Sequence, residues 1–229
     1  MTTKRFFVAC LALLLLSGCA EIGRTTTEAA RETVFQAQRT VERLKASNDL
    51  NNFAFRRELA NARGVVVLPS VVKAGFIGAA EGGNGVLLAR GADGGWSDPA
   101  FYSLASGSFG LQIGVQGVEM IMILRNDKAV RAILEHQGKF GADAGLTIGV
   151  IGLGVEGSTT TNLGADVLVY TYSFIGAYGG ISLEGAVLAR RNDLNAGYHG
   201  EGATPQALVI DRAFTNPQAA GLKAALAGG

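Results

Sequence analysis

The sequence predicts an α+β fold rich in β-structure: a curled antiparallel sheet or barrel-like body, with N-terminal helices and one inserted helix. Short apolar runs separated by Asn, Asp and Gly recur between residues 64 and 190, a pattern typical of antiparallel hairpins. The 33 glycines among 229 residues show no period of three, and glycine within a strand permits bulges and close approach of backbones. Helical periodicity appears before residue 63, after Asn126 and in the tail.

Residues 1–18 have the order of a signal peptide and are not expected to belong to the fold. Lys4 and Arg5 precede an apolar run that is shorter than the roughly 20 residues needed to span a bilayer. The tetrapeptide Leu16-Ser17-Gly18-Cys19 resembles a bacterial lipobox, in which the cysteine is diacylated and becomes the new N-terminus. We therefore expect Cys19 to carry a lipid anchor. A plain signal peptide or a single transmembrane anchor are the alternatives.

The mature chain is expected to lie at the outer membrane and to face the periplasm. Its core is expected to be stabilised by packing alone. The residue after Cys19 is Ala20, whereas an aspartate there would favour inner-membrane retention in a Gram-negative cell. Cys10 lies in the removed segment, so no cysteine pair remains for a disulfide. Maturation leaves 18 Lys and Arg, two fewer than the 20 of the full chain, against 19 Asp and Glu. This near-neutral balance argues against a nucleic-acid partner.

Residues 19–48 are expected to hold the acylated N-terminus and an amphipathic helix over residues 25–47. Its apolar positions recur at spacings of four and three and are Ala30, Val34, Ala37, Val41 and Leu44. This narrow stripe favours packing on the body of the protein. A helix lying on the membrane is the alternative, although mixed charge is less typical of that role.

A second helix is expected to begin at Asp49 and to end near Ala62, with Phe53, Phe55 and Leu59 as its apolar positions. Three arginines, Arg56, Arg57 and Arg63, accompany it. They fit a solvated helix face, or a face that meets lipid phosphates.

The β-rich body is expected to begin at Gly64. Predicted strands cover residues 64–68, 75–81, 86–90, 102–115, 118–124, 140–158, 165–173 and 179–190. The predicted turns are Pro69, Asn84-Gly85 and Asp93-Gly94-Gly95. One helix, capped by Asn126 or Asp127, interrupts the strands, and short tail helices begin at Thr204-Pro205 and Pro217.

Two internal echoes suggest a duplicated hairpin, or convergent strand chemistry. The pattern Gly-x-x-Leu-Ala-Arg ends at Arg90 and again at Arg190, and each arginine is followed three residues later by an aspartate, Asp93 and Asp193. Phe-Ile-Gly-Ala likewise occurs over residues 76–79 and 174–177.

A collinear series of segments resembles the SYLF domain. The segments are VVVLPSVVKAGFIGAAEGGNGVLLAR, GGWSDPAFYSL, GSFGLQIGVQ, FGADAGLTIG and SLEGAVLARRNDLNAGYHG, and the resemblance covers roughly residues 40–205. We therefore assign residues 49–229 to a SYLF-like domain. The resemblance implies binding of membrane lipid, as in family members linked to phosphoinositides. Actin binding, known in the yeast members, is not expected in a bacterial periplasm, where an anionic phospholipid headgroup is the more reasonable ligand.

Enzyme chemistry finds little support. Gly152-Leu-Gly154-Val-Glu-Gly157 fits GxGxxG, but the Ser-Thr-Thr-Thr that follows is a poor helix start and no βαβ unit is apparent. His136, in a helix, and His199, in a predicted polar loop, form no zinc-binding pattern. No Gly-x-Ser-x-Gly motif is present. We expect a non-catalytic protein without cofactor or metal.

Three cations beside glycines are the candidate lipid-binding residues: Lys73, Arg90 and Arg190. Phosphates are bound by Lys or Arg together with backbone N–H groups. The alternative is that the arginines pair with Asp93 and Asp193. Trp96 fits a core position better than a bilayer interface. We therefore expect an envelope lipoprotein that binds phospholipid. The competing hypothesis is a structural or protein-interaction module with an envelope protein as its partner.

Overall fold

A computed structural model describes residues 24–47, 52–75, 78–109, 114–135, 138–139, 145–153, 164–175 and 186–227. Within these ranges the strands are β1 (Gly64–Gly75), β2 (Gly78–Ala89), β3 (Ala100–Phe109), β4 (Gly114–Leu124), β5 (Gly138–Lys139), β6 (Ile148–Leu153), β7 (Val167–Ile175) and β8 (Val187–Arg190). The helices are α1 (Thr26–Ala46), α2 (Asn52–Asn61), α3 (Asp127–Glu135), α4 (Asn192–His199), α5 (Pro205–Val209) and α6 (Ala220–Ala227), with a 3₁₀ turn at Pro217–Ala219 before α6.

The described strands form one open sheet in the order β5-β8-β3-β2-β1-β4-β7-β6. Every neighbouring pair is antiparallel except β6 and β7, which are parallel. The predicted α+β class, with N-terminal helices and one inserted helix, is confirmed. The parallel pair at one edge was not predicted from the sequence.

Helices cover both faces of the sheet. Side chains of β1 alternate between the faces: Val65 and Val67 pack with α1, α2, α4 and α6, whereas Val66 and Leu68 pack with α3 and α5. A strand that is buried on both faces reads as a continuous apolar run. This explains why Gly64-Val-Val-Val-Leu68 shows no polar alternation.

Helix α1 packs on the body of the protein, as its narrow apolar stripe predicts. Its N-terminus has a capping box formed by Thr25 and Glu28, and all five predicted stripe residues are buried. Thr40 and Arg43 each donate a hydrogen bond of 2.8 Å to Glu119 Oε1 in β4. The helix therefore packs on the sheet and on α4 and α6.

Several local predictions hold in the described residues. Asn126 Oδ1 accepts a hydrogen bond from the Ala129 amide and caps α3, and Thr204 caps α5 in the same way. Gly94, with φ +79°, turns the chain between Asp93 and Gly95. Trp96 is buried, as predicted. None of the helices in the described ranges is long and apolar enough to cross a bilayer.

The predicted turns at Pro69 and Asn84-Gly85 are wrong, because both sites lie inside strands. β1 continues through Pro69 by means of a bulge, seen as a register shift between Leu68 and Val71. In β2, Asn84 pairs with Ser103 and Gly85 with Tyr102. A Cβ on Gly85 would lie 2.2 Å from the Val67 carbonyl oxygen, so this glycine allows close approach to the bulged strand.

Three further predictions need correction. The strand predicted over 102–115 is two strands, since β3 ends at Phe109 and β4 begins at Gly114. Phe53 is 77% exposed and does not face the core, unlike Phe55. His199 lies at the end of α4 and not in a loop. Cys19, Asp49, Phe76, His136 and most of the GxGxxG segment lie outside the described residues.

Candidate functional site

The candidate lipid-binding cations occupy three separate places. Lys73 lies near the end of β1 that is opposite Gly64, and its Nζ is 2.8 Å from Glu81 Oε1, a side chain only 1% exposed. Arg90 follows β2 at the other end of the same strand pair. Residues rise about 3.3 Å each along a strand, so the strand pair separates these two cations by tens of ångströms. A single ligand cannot engage both.

Arg190 points into the protein. It pairs with Tyr102 across β3 and β8, and its guanidinium donates to the Leu134 carbonyl at the end of α3. Burial raises the pKa of Tyr102 to about 12, while the neighbouring Arg190 opposes this shift. Asp193 pairs with Arg191 at 2.7 Å and Asp93 pairs with Arg212 at 3.0 Å. The alternative, in which Arg90 pairs with Asp93 and Arg190 pairs with Asp193, is therefore wrong.

The sequence pattern that Arg90 and Arg190 share does not correspond to a shared local structure. Arg90 is followed by a turn that contains Asp93, whereas Arg190 is followed by α4, which carries Asp193 in its first turn. The matching letters therefore mark two different local structures.

Arg90 lines a cavity of about 190 Å³ together with three arginines from other elements. We call Arg63, Arg90, Arg131 and Arg212 the arginine pocket. Arg63 directly precedes β1, Arg131 lies on α3, and Arg212 follows α5. The backbone holds the first two together, since the Arg90 amide donates to the Arg63 carbonyl at 2.8 Å.

The guanidinium of Arg90 connects the arginine pocket to helix α2. Its Nε and Nη2 donate to the carbonyls of Ala62 and Leu59, both at 3.1 Å, and so satisfy the C-terminal turn of α2. Its Cζ lies 4.4 Å from the centre of the Trp96 ring. Burial, and then the charge of Arg63, lower the pKa of Arg90. An arginine remains protonated at neutral pH in spite of such a shift.

Helix α2 presents an aromatic and cationic face to solvent. We call Phe53, Arg56 and Arg57, together with the exposed Ala60 and Asn61, the outer face of α2. The only acidic residue of α2, Glu58, has a side chain 13% exposed and pairs with Arg125 at 3.1 Å and with Arg57 at 3.5 Å. The outer face of α2 therefore carries two exposed arginines and an exposed ring, and its one neighbouring carboxylate is mostly buried.

A second cavity of about 260 Å³ lies at the end of α1 and is lined by Arg43, Leu44, Ala46, Ser47 and Tyr172. Its cation is already paired, because Arg43 lies 2.8 Å from Glu119. In the parts of the chain that the structure describes, no three His, Cys, Asp or Glu side chains are grouped as metal ligands.

Of these features, sequence reasoning named Arg90, and it mentioned Arg56, Arg57 and Arg63 as a cluster. It missed Arg131 and Arg212, which are far apart in the chain and carry no local motif. It also named Phe53 and Phe55 together as apolar positions of the helix, although only Phe55 is buried.

Comparison with known proteins identifies one family. The family described as "Ysc84: Las17-binding protein actin regulator" matches residues 105–228. SH3 domain-containing YSC84-like protein 1 of Rattus norvegicus is 37% identical over 142 residues, which cover 62% of this chain and 41% of the relative.

Two proteins of Saccharomyces cerevisiae are also similar. Protein YSC84 is 29% identical over 163 residues, or 70% of this chain and 35% of the relative. LAS seventeen-binding protein 3 is 28% identical over 156 residues, which cover 67% of this chain and 34% of the relative. The chain thus spans less than half the length of these curated relatives, one of which is named as a binding protein.

Proposed function

The chain belongs to the Ysc84 (SYLF) family, and we propose that it binds phospholipid membranes through the outer face of α2 without catalysing a reaction. The observation that carries the proposal is Phe53, which is 77% exposed one turn before two exposed arginines. An aromatic ring that leaves water at a bilayer interface contributes apolar burial. The arginines attract anionic headgroups.

The charge of this surface favours an anionic membrane. Arg56 and Arg57 are exposed, the Arg57 side chain to 61%, and the arginine pocket adjoins the C-terminal end of the same helix. A basic residue near an anionic bilayer contributes about 1 kcal/mol of attraction. Several such residues on one surface act together.

Vesicle binding by the full-length chain tests the proposal. Cys10 and Cys19 are replaced by serine in every sample, so that no acyl chain contributes and the remaining N-terminal segment is common to all variants. Sedimentation uses phosphatidylcholine vesicles with and without phosphatidylglycerol. We expect stronger binding to the vesicles that contain phosphatidylglycerol, and about tenfold weaker binding when Phe53→Ser removes the exposed ring.

Phe35 provides a matched control, since it is 54% exposed but lies on α1. We expect Phe35→Ser to bind vesicles like the parent chain. Equal losses for the two substitutions would show that α2 has no special part in binding. Absence of binding to either vesicle composition would overturn the membrane proposal.

We also propose that Cys19 is acylated and anchors the protein in the cell envelope, at the outer membrane and facing the periplasm. Two acyl chains bind a bilayer stably where one binds marginally. Cells fed labelled palmitate should incorporate the label into the parent chain and not into Cys19→Ser. Equal labelling of both chains would contradict this assignment.

A protein-interaction module of the envelope is the second candidate, favoured by the description of the family and by the name of one relative. One yeast relative is named as a LAS seventeen-binding protein, and its aligned part is 34% of its length. A chain that ignores all vesicles but remains folded would favour this candidate. The assignment of Lys73 and Arg190 to lipid stays a prediction, whereas Arg90 adjoins the proposed surface.

A further inference from the structure

The arginine pocket brings four arginines from separate parts of the chain to one cavity. From this arrangement we infer that the arginine pocket is a binding site for a phosphate group. The inference rests on the proposed membrane function only for the source of the ligand, because a phospholipid headgroup and free phosphate present the same chemistry.

The charges around the cavity do not balance. Arg63 pairs with Asp127 at 2.9 Å, and Arg212 pairs with Asp93 at 3.0 Å. Arg90 donates only to carbonyl oxygens. Arg131 is exposed and makes no hydrogen bond or ion pair with any residue in the described ranges. Asp127 also lines the cavity, so the four arginines exceed their two partner carboxylates, Asp127 and Asp93, by two charges, which suits an anion of charge between one and two.

One arginine of the pocket, Arg212, has an unusual backbone conformation that its side-chain contacts hold in place. Arg212 has φ +51° and is the one non-glycine residue with positive φ in the part of the chain that the structure describes. Such a conformation persists only where the surroundings enforce it. Here Arg212 Nη1 donates to Asp93 at 3.0 Å and Nη2 donates to the Gly95 carbonyl at 2.6 Å.

Glycine at position 91 makes room for this arrangement. A Cβ there would lie 2.3 Å from Arg212 Nη2, so the guanidinium lies directly over the Gly91 backbone. Hydrogen bonds from Gly95 and from Arg212 lower the pKa of the Asp93 carboxyl, in that order. Asp93 thus stays ionised and keeps Arg212 at the cavity wall.

The size and surroundings of the cavity fit a phosphate at a membrane surface. Its volume of about 190 Å³ leaves room for a tetrahedral anion with some of its hydration. Ile210 lines it and is 47% exposed. Guanidinium groups that approach from several sides match the oxygens of a phosphate better than the flat pair of a carboxylate.

Substitution of Arg131 tests the inference in the full-length chain with Cys10 and Cys19 replaced by serine. The probes are inorganic phosphate, measured by calorimetry, and phosphatidylcholine vesicles with phosphatidylglycerol. We expect Arg131→Glu to weaken phosphate binding at least about tenfold, because the change removes a charged hydrogen-bond donor and introduces a carboxylate that repels the anion. The control is Arg31→Glu on α1, an exposed arginine whose reversal changes the net charge equally.

The outcomes separate this inference from the membrane proposal. Loss of phosphate binding in Arg131→Glu, with Arg31→Glu unchanged, supports the site. Competition between phosphate and vesicles then assigns the ligand to a lipid headgroup, and its absence assigns it to free phosphate. Equal phosphate affinity of the two variants, or no phosphate binding by the parent chain, overturns the inference. Vesicle binding that still depends on Phe53 would leave the membrane proposal standing.

Discussion

At the scale of single residues, His199 connects the stability of the fold to pH. Its Nε2 lies 2.8 Å from the Pro99 carbonyl, and its Nδ1 is buried without a hydrogen-bond partner in the described residues. Burial lowers the pKa of His199 below its ordinary value of 6.5, while Pro99 and Asp98 oppose the shift. A proton on Nδ1 would bury an unsatisfied donor, so the folded state resists protonation.

We therefore predict that the free energy of unfolding falls as pH drops below 6.5. Above the unfolded pKa both states carry a neutral imidazole, and the histidine has no effect. Below it the unfolded chain takes up the proton first, which favours unfolding by at most about 1.4 kcal/mol per pH unit until the folded pKa is passed. Denaturant titrations from about pH 7.5 to about pH 5 should show a shallower fall for His199→Gln than for the parent. Parallel curves would contradict the assignment.

At the scale of elements, the bulge in β1 and two glycines of β2 act together, because the glycines make room for the bulged backbone. The would-be Cβ atoms of Gly83 and Gly85 lie 2.1 Å from the Ser70 carbonyl oxygen and 2.2 Å from the Val67 carbonyl oxygen. These oxygens belong to the backbone, which cannot rotate away as a side chain can. The two glycines therefore let β1 pass Pro69 and remain paired to β2.

We predict that Gly85→Ala destabilises the fold by about 1–3 kcal/mol, because the added methyl forces a backbone shift in a packed sheet. Gly107→Ala is the matched control, since Gly107 lies in β3 and its would-be Cβ meets nothing within 4 Å. Chemical denaturation of both variants measures the difference. Similar midpoints for the two would show that the close contact at Gly85 is relieved at little cost.

Element by element, the sequence predicts helices better than turns. The stripe of α1, the cap at Asn126 and the cap at Thr204 are local patterns, and each is present. Asn84-Gly85 has the composition of a hairpin turn, yet its glycine serves close contact with a strand distant in the chain. Local composition cannot separate these two uses of glycine, because the contact depends on the bulge at Pro69.

At the scale of the whole molecule, the candidate site depends on topology. The arginine pocket joins positions 63, 90, 131 and 212, which come together because β1 begins where β2 and β4 end. No spacing in the sequence marks this set. Arg90 was predicted from its neighbouring glycines, but its partners required the fold. The exposure of Phe53 likewise depends on which side of α2 packs on the sheet.

The same topology predicts how much of the chain is needed to fold. The family match begins at residue 105, inside β3, and omits β1 and β2. These two strands lie between β3 and β4 in the sheet, so a fragment of residues 105–228 would lose the strands that join the two halves of the sheet. It would also lose Tyr102, Ser103 and Leu104, which pair with β8. We expect this fragment to show no cooperative thermal transition by circular dichroism.

A longer fragment of residues 24–229 should unfold cooperatively, because it retains all the described strands together with α1. That helix contributes a buried apolar stripe, and its Thr40 and Arg43 satisfy Glu119, which is only 5% exposed. Removing residues 24–47 as well would leave this carboxylate without the two donors, at a cost of several kcal/mol. We therefore expect residues 48–229 to melt at a lower temperature than residues 24–229. A cooperative transition in the 105–228 fragment, or equal melting of the two longer ones, would show that β1, β2 or α1 is not needed for the core.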